Sequence, residues 1–287
     1  MLLDEVAFLL GPRHGGWVLD GTVGMGGHAE RLLESSRDAQ LLGIDGDPEA
    51  LRRAAGRLAR FGERVVLKHG SFRHLVPLAR DAGVNEPVAI LLDLGLSSYQ
   101  LDESQRGFSF QRDEVLDMRF DPTRGPTASE LLNGLPADDL ARILSEYGEE
   151  RHARRIAERR HRSPLGTTGD LVAAVKAAVP RGAWSQRIHV ATRTFQAVRM
   201  AVNDEVAALT EGLQSALLLR EGGRLGVISF HSGEDRIVKR TFRLLEQSGG
   251  FVALLPAPIQ PGEAEVAANP RSRSAKLRVL QRVEVAA

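Results

Sequence analysis

Apolar, strand-like runs alternate with amphipathic helical patterns at the start of the chain, and this rhythm constrains the fold more than any other feature. The strand-like runs are GWVLDGT, QLLGID, RVVLKHG and VAILLDLG, and the helical patterns between them include HAERLLESS and DPEALRRAAGRLARFG. Asp47 is the expected N-cap of the second of these helices, with Pro48 at its first position. The alternation predicts βαβ units, and hence an α/β fold with a mostly parallel sheet.

The rhythm breaks after the fourth strand-like run. The stretch from SSYQLDESQ to GLPADDL is polar and turn-rich and is interpreted as a loop, and helical patterns follow in ARILSEYGEERHARRIAERR and GDLVAAVKAAVP. Alternation resumes at AVNDEVAALTEG, read as a long helix, and continues to the apolar run RLGVISF. We therefore predict a helical domain at residues 103–195, inserted into an α/β domain formed by residues 1–102 and 196–287. The runs FVALLPAPI and KLRVLQRVEV are expected to add an antiparallel pair at the sheet edge.

Composition excludes several kinds of chemistry. The chain has 287 residues and no cysteine, which excludes disulfides, thiolate metal sites and a cysteine nucleophile. No apolar run approaches the roughly 20 residues that a membrane helix needs. The beginning, MLLDEVAFLLGPRHGG, carries acidic residues where a signal peptide needs positive charge. These features predict a soluble, cytoplasmic protein, and no residue of the sequence is singled out as a metal ligand.

Basic residues are concentrated in two runs, although the net charge is only +1. The runs are ERHARRIAERRHRSP and NPRSRSAKLRVLQR. Either run alone is as compatible with a solvated surface as with a binding site. Two such runs on a nearly neutral chain favour a nucleic-acid partner.

A glycine-rich turn follows the first strand. GMGGHA, from Gly24 to Ala29, fits the pattern G-x-G-x-x-G/A, and Asp45 follows about twenty residues later at the end of the next strand. This is the Rossmann-type fingerprint, in which glycines admit the ligand to the backbone and the acid binds ribose hydroxyls. The pattern suits any adenosine-bearing cofactor, and a tight turn without a ligand is the alternative.

Three features disfavour a nicotinamide dinucleotide. Asp20 ends the first strand directly before the glycines, where its carboxylate would repel a pyrophosphate but attract the ammonium and sulfonium groups of S-adenosylmethionine. No Lys-Ser or Lys-Thr pair follows the glycines, so a Walker-type phosphate site is excluded. Asp93, in DLGLSS, ends the fourth strand at the sheet edge where open α/β sheets bind ligands.

The chain resembles the S-adenosylmethionine-dependent methyltransferases that modify the N4 amino group of a cytidine in 16S ribosomal RNA. The resemblance covers nearly the whole chain and rests on LLDEV, DGTVGMGGHA, GIDGDPEAL, DLGLSSYQLD, RGFSF, LDMRFD, RTFQAVRMAVNDE, GVISFHSGEDRIVK and NPRSRSAKLRV. One departure is Gly233, where the family pattern SFHSLEDR has leucine.

The resemblance implies a Rossmann-like methyltransferase sheet with an inserted helical domain that contacts RNA. It also implies cofactor contacts from Gly26, Gly27, His28, Asp45, Phe72, Asp93 and Gln100. The pattern of the residues themselves adds Asp20 and Gly24 to this set. Taken alone, His28 is more typical of a helix start and Phe72 of a core.

The implied reaction needs an acceptor for the protons of a weakly nucleophilic amine. Asp93 and Ser97 follow the fourth strand, where DNA amino-methyltransferases carry an Asp/Asn-Pro-Pro-aromatic loop that is absent here. His231 follows a later strand, and capping of a helix is its structural alternative. We predict a catalytic set of Asp93, Ser97, His231 and Asn203, acting on a base flipped out of its stack.

RTFQAVRMAVNDE places polar residues three and four apart, on one face of a helix. A solvated face is the structural alternative, but Arg binds phosphate and Asn binds base edges. The predicted RNA contacts are Arg159, Arg160, Arg193, Arg199, Arg271, Arg273 and Lys276. The expected partner is 16S ribosomal RNA in the small ribosomal subunit, without DNA or membrane, and a homodimer stays open. The alternatives are an NAD-dependent dehydrogenase, a non-catalytic RNA-binding scaffold, and a methyltransferase acting on DNA or a small molecule.

Overall fold

The computed structural model describes residues 1–159, 164–185 and 188–284. The chain divides into two compact units, which are called the sheet unit and the helical unit below. The sheet unit comprises Met1–Gly95 and Val206–Ala287, and the helical unit comprises Leu96–Glu205. The helical unit therefore begins before residue 103 and ends after residue 195, which are the bounds expected from the sequence for the inserted domain.

Seven strands of the described chain form one sheet, in the order β3-β2-β1-β4-β5-β7-β6. Neighbouring strands from β3 to β5 run parallel, whereas β7 is antiparallel to both β5 and β6. This confirms the mostly parallel sheet and its antiparallel edge. The strands are β1 (Gly16–Asp20), β2 (Ala39–Asp45), β3 (Val65–His69), β4 (Ala89–Asp93), β5 (Arg224–Ser229), β6 (Phe251–Ala253) and β7 (Lys276–Arg282).

Helices α5 to α10 belong to the helical unit, and α1 to α4, α11 and α12 pack in the cores of the sheet unit. The helices are α1 (Leu3–Leu10), α2 (Gly27–Glu34), α3 (Pro48–Leu58), α4 (Leu75–Asp81), α5 (Ser98–Asp102), α6 (Ala128–Gly134), α7 (Ala137–Gly148), α8 (Ala153–Arg159), α9 (Thr168–Ala178), α10 (Thr192–Val202), α11 (Glu205–Gly212), α12 (Ser232–Gln247) and α13 (Glu263–Ala268). Short 3₁₀ segments cover Ala59–Arg64, Phe72–His74, Arg181–Ala183, Leu213–Leu218 and Pro270–Ser274. None of the helices in the described ranges is both long enough and apolar enough to cross a bilayer.

The sheet is buried on both faces, because successive side chains of a strand point to opposite sides. Leu19 on β1 joins a core with α4, the segment Leu213–Leu218 and α12, whereas its neighbour Val18 joins a second core with α1, α2 and α3. A sheet covered on both faces needs strands that are apolar throughout, which explains the composition of VAILLDLG. Asp47 caps α3 as predicted, since its Oδ1 accepts a 3.0 Å hydrogen bond from the N–H of Glu49.

Two sequence interpretations are wrong in detail. The stretch read as a loop contains α5, α6 and the start of α7. Capping boxes start both of the shorter helices, at Ser97 with Gln100 and at Thr127 with Glu130. The single long helix expected at AVNDEVAALTEG is broken between α10 and α11, where Asp204 takes a positive φ of 47°.

The helical unit has its own apolar core. α6 to α10 contribute buried side chains to it, among them Leu132, Leu144, Ile156, Leu171 and Phe195. The irregular segment between α5 and α6 contributes Phe108 and Leu116. Phe110 stacks on His189 and meets the edge of Phe195.

Candidate functional site

Three acidic residues end three adjacent strands of the sheet unit. Asp20 ends β1, Asp45 ends β2 and Asp93 ends β4, so all three lie at the carboxyl edge of the parallel sheet. β2 and β4 lie on opposite sides of β1. The strand order therefore reverses its direction between β1 and β4, which makes the carboxyl ends of these strands a topological switch point. Open α/β sheets bind ligands at such a switch point.

Thr22 ties two of these strand ends together. Its backbone N–H donates a 3.1 Å hydrogen bond to Oδ1 of Asp20, and its hydroxyl accepts a 2.6 Å hydrogen bond from the N–H of Asp93. Thr22 was not among the site residues predicted from the sequence. Its position two residues after a strand-ending acid, where Asp side chains commonly accept a local N–H, was the available signal.

The glycine turn is joined to Asp45 by a backbone contact. The N–H of Gly24 donates a 2.8 Å hydrogen bond to Oδ2 of Asp45, and the N–H of Asp47 donates a 2.9 Å hydrogen bond to Oδ1. Gly24 and Gly26 have φ of 51° and 83°, a region that side chains disfavour. Gly26 is the N-cap of α2, and Gly27 is the first residue of that helix.

The three carboxyl groups have raised pKa values. The pKa of Asp20 is raised to about 7, chiefly by burial; the hydrogen bond from Thr22 lowers it, and the charges of Asp93 and Asp45 raise it. Burial raises the pKa of Asp45 to about 6 against its hydrogen bonds from Asp47 and Gly24. The pKa of Asp93 is also raised, mainly by burial. A positive charge placed among these groups would favour their ionised forms.

Asp93 leaves a buried oxygen without a hydrogen-bond partner. Its Oδ1 has none among the described residues, whereas its Oδ2 lies 3.5 Å from Nδ1 of His28. His28 Nε2 lies 2.8 Å from the carbonyl oxygen of Met1, so both ring nitrogens face acceptors. The side chain of Asp93 is 22% exposed, whereas Oδ1 itself is buried.

Phe72 lies beside the start of the glycine turn. A Cβ built on Gly21 would come within 3.1 Å of the Phe72 Cβ, and one built on Gly212 would come within 2.6 Å of its ring. The half-buried ring packs against the core that contains Leu19. The sheet unit therefore brings together the predicted cofactor residues Asp20, Gly24, Gly26, Gly27, His28, Asp45, Phe72 and Asp93.

These residues fit S-adenosylmethionine better than a dinucleotide. Buried carboxyl groups with raised pKa values ionise more readily beside a positive charge, so this edge of the sheet favours a cationic ligand. The sulfonium and ammonium groups of S-adenosylmethionine supply that charge. A diphosphate would add charge of the same sign as Asp20, Asp45 and Asp93.

Two further candidates belong to the helical unit. Ser97 and Gln100 pair with each other: the Gln100 N–H donates to Ser97 Oγ over 3.2 Å, and the Ser97 N–H donates to Gln100 Oε1 over 2.9 Å. Gln100 is 7% exposed. These contacts start α5, and the predicted catalytic role of Ser97 and cofactor role of Gln100 stay predictions.

His231 is the N-cap of α12, and both of its ring nitrogens face Glu234. Nδ1 accepts a long, 3.4 Å hydrogen bond from the Glu234 N–H, and Nε2 lies 3.1 Å from Glu234 Oε1. A Cβ at Gly233 would lie 3.1 Å from Nδ1, so the glycine that departs from the family pattern leaves room for this ring. The geometry favours capping, and a proton-transfer role for His231 stays a prediction.

The polar face predicted on α10 is mostly occupied by contacts within the helical unit. Arg199 makes a two-pronged ion pair with Glu205, with N–O distances of 2.7 and 2.8 Å, and both side chains are largely buried. Asn203 bonds to the backbone at Phe120 and Met118. Arg193 is exposed and donates to the carbonyl of Glu149 over 3.2 Å. Arg193 therefore has the accessibility that RNA contact requires, whereas Arg199 and Asn203 have structural contacts.

The other predicted RNA contacts lie in different settings. Arg159 is the last residue of α8 and is half-buried, and Arg160 lies outside the described residues. Arg271 and Arg273 are exposed on the 3₁₀ segment before β7. Lys276 pairs with Asp235 over 3.3 Å, which partly neutralises its charge.

Comparison with known proteins identifies the family of this chain. The profile of the MraW methylase family matches residues 1–283. "Ribosomal RNA small subunit methyltransferase H" of Geotalea daltonii is 49% identical over 304 residues, which cover 99% of this chain and 97% of that protein. The protein of the same name from Symbiobacterium thermophilum is 46% identical, with 99% and 96% covered.

A crystal structure of an rRNA methylase from Streptococcus thermophilus matches with a TM-score of 0.46 and 14% identity, covering 98% of this chain and 94% of that one. The family assignment rests on the profile and on the full-length relatives. The chain belongs to the MraW methylase family.

Proposed function

We propose that this protein transfers a methyl group from S-adenosylmethionine to the N4 amino group of a cytidine in 16S ribosomal RNA. Family membership and the names of the full-length relatives support methylation of small-subunit ribosomal RNA. The single observation that carries the cofactor assignment is the meeting of Asp20, Asp45 and Asp93 beside the glycine turn. The choice of N4 of a cytidine rests on the motif resemblance.

When bound, S-adenosylmethionine supplies an electrophilic methyl group on a sulfonium. Asp45 is positioned to accept hydrogen bonds from ribose hydroxyls, since its carboxylate is fixed by the N–H groups of Gly24 and Asp47. Asp20 supplies a second buried carboxyl group beside the turn, where its Oδ1 accepts a hydrogen bond from the N–H of Thr22. Gly24 and Gly26 leave the backbone open to the ligand.

The protein must also position the target amine, whose lone pair is delocalised into the cytosine ring. We assign the unpartnered Oδ1 of Asp93 as the acceptor for one amine proton, because it is a buried acceptor left without a donor at the carboxyl end of β4. This hydrogen bond would orient the nitrogen and stabilise the positive charge that develops on it. Orientation of this kind contributes up to about 7–11 kcal/mol in the best intramolecular cases.

The test is methyl transfer from labelled S-adenosylmethionine to small ribosomal subunits and to free 16S RNA, followed by nucleoside mass spectrometry. The proposal expects N4-methylated cytidine as the product. Asp93→Asn should lower the turnover rate more than it lowers cofactor affinity. Label on another nucleoside, or heat from NADH but not from S-adenosylmethionine in calorimetry, would contradict it.

The setting of the reaction follows from the substrate. We propose that the protein acts in the cytoplasm, on the small ribosomal subunit or its RNA, without a DNA or membrane partner. Mass mapping of 16S RNA from cells that lack the gene would show the loss of one base methyl group. Sedimentation at working concentration distinguishes a monomer from a homodimer.

A further inference from the structure

Four basic side chains form an exposed row on α12, which we call the α12 basic stripe. They are Arg236, Lys239, Arg240 and Arg243, at the three- and four-residue spacings that share one helical face. With Leu244 and Gln247 they line a shallow cavity of about 410 Å³. The stripe lies outside both basic runs from which the sequence analysis predicted RNA contacts.

The acidic residues of α12 do not neutralise this stripe. Asp235 pairs with Lys276 and Arg278 on β7, Glu246 accepts a hydrogen bond from the Ala253 N–H, and Glu234 is buried at the N-terminus of the helix. The described contacts give none of the four basic side chains an ion pair. The outer face of α12 therefore presents four positive charges to solvent.

Repulsion within this row of like charges destabilises α12 in the protein without a partner. Arg236 and Arg240, and likewise Lys239 and Arg243, are four residues apart, a spacing at which like charges destabilise a helix. A helix evolved only for stability would place glutamates among them. The row is better explained by a polyanion that offsets the repulsion when it binds.

The position of α12 indicates where that polyanion lies. The helix begins three residues after the carboxyl end of β5, at the same edge of the sheet as Asp93. At about 1.5 Å per residue, the stripe extends from roughly 7 to 18 Å along the helix from its N-cap. The stripe is therefore close enough to this edge for phosphates that flank a delivered base to reach it.

We propose that the α12 basic stripe binds phosphates of the RNA substrate on the flank of the base to be methylated. The inference rests on the proposed function and adds a binding surface to it. An anionic membrane is the less favoured partner, because the apolar face of α12, with Val238 and Phe242, is packed in the core and Leu244 alone adds an exposed large apolar side chain to the stripe.

The test is the double variant R240Q/R243Q, since glutamine keeps the helix propensity and removes the charge. Its matched control is R31Q/R60Q, which removes two exposed arginines that already pair with Asp4, Glu30 and Glu34. R240K/R243K retains the charge. Binding of a 16S RNA transcript is measured against salt concentration, together with kcat and KM for methyl transfer and binding to vesicles rich in phosphatidylserine.

We expect R240Q/R243Q to weaken RNA binding at least tenfold at about 0.1 M salt and to lower the slope of log affinity against log salt by about one to two. For R240Q/R243Q, KM for RNA should rise while kcat and the affinity for S-adenosylmethionine are retained. R240K/R243K should recover most of the RNA affinity. R31Q/R60Q should resemble the unmodified protein in all of these measurements. If R240Q/R243Q kept its RNA affinity, its salt slope and normal methylation, the RNA-binding role of the α12 basic stripe would be wrong, and the proposed function would be unaffected. Loss of vesicle binding without loss of RNA binding would also overturn it. Absence of methylation by the unmodified protein would instead overturn the proposed function.

Discussion

The backbone N–H of Gly24 donates a 2.8 Å hydrogen bond to Oδ2 of Asp45, 21 residues further along the chain. The glycine turn and Asp45, which are two separate elements of the sequence fingerprint, are thus joined by a hydrogen bond in the structure. Asp47 occupies the other carboxylate oxygen with its N–H. Asp45 is therefore held in place before any ligand arrives, which lowers the entropic cost of binding.

Asp45→Asn should disturb this structure, because an amide presents an N–H group where the carboxylate presented an acceptor. One of the two backbone donors would lose its partner, and the turn would lose its fixed geometry. We expect S-adenosylmethionine affinity to fall ten- to hundredfold, about 1.4–2.8 kcal/mol, by calorimetry. Asp38→Asn, at an exposed acid before β2, is the control, and equal affinity for the two variants would contradict the role of Asp45.

Features within one element or one turn could be predicted from the sequence. The strand rhythm, the N-cap Asp47 and the spacing from Gly24 to Asp45 all reflect contacts that a short stretch specifies by its residue types. The capping boxes that start α5 and α6 were also local, but each lies in a stretch whose polar composition is typical of a loop. Their Ser/Thr-x-x-Gln/Glu pattern was the available signal.

Contacts between distant elements could not be predicted in this way. Lys276 looks like part of a free basic run, yet Asp235, 41 residues earlier, meets it across the α12–β7 packing. Arg240 lies in a stretch of mixed charge. Whether its charge is neutralised depends on whether the nearby acidic residues pair with other elements of the fold. The sequence shows the charges, but tertiary pairing decides which of them remain available for RNA.

The raised pKa of Asp20 predicts that stability and cofactor binding respond oppositely to pH. The pKa is about 7 in the folded protein, against 3.8 ordinarily, so between pH 4 and 7 the folded chain keeps a proton that the unfolded chain has lost. The free energy of unfolding of the ligand-free protein should fall as pH rises through this window, by up to about 4 kcal/mol from this group. Urea titrations of the unmodified protein and of Asp20→Asn across the window isolate this contribution, because carboxyl groups with lowered pKa values, such as Glu49 and Asp235, are common to both. A stability difference between the two proteins that does not change with pH would contradict it.

Binding of S-adenosylmethionine requires the ionised carboxylate, so affinity should increase from pH 5.5 through the Asp20 pKa of about 7 and level off above about pH 8. Binding near pH 6.5 should release protons. Calorimetry in two buffers with different ionisation heats detects that release. Identical heats in both buffers would show that Asp20 does not titrate on binding.

Asp20→Asn should separate stability from function. The amide oxygen can still accept the hydrogen bond from Thr22, while the buried charge disappears. At pH 8 we expect the variant to unfold at higher urea concentration, with a gain of about 1–3 kcal/mol, and to bind S-adenosylmethionine at least tenfold more weakly. At pH 5, where the folded protein keeps Asp20 protonated, the stability difference should shrink. A variant that is less stable at pH 8 would show that the carboxylate is not a buried, unfavourable charge.

Asn203 offers a direct contrast between a structural and an RNA-binding role. Its Oδ1 accepts from the Phe120 N–H over 2.7 Å, and its Nδ2 donates to the carbonyls of Met118 and Arg199 over 2.8 and 2.9 Å. Met118 has a positive φ of 56°, so the amide holds a backbone conformation that side chains disfavour. Asn203→Ala leaves these groups without their partner and should cost about 2–3 kcal/mol in urea unfolding.

Arg193→Ala, on the exposed side of the same helix, should cost less than about 0.5 kcal/mol and should weaken RNA binding instead. Both variants are compared in RNA affinity at a temperature where each is fully folded. There Asn203→Ala should bind RNA within about twofold of the unmodified protein, because its amide is occupied by backbone groups. If Asn203→Ala kept full stability but lost RNA affinity tenfold, the amide would contact the nucleotide as the sequence pattern first suggested, and the contacts to Met118 and Phe120 would be incidental.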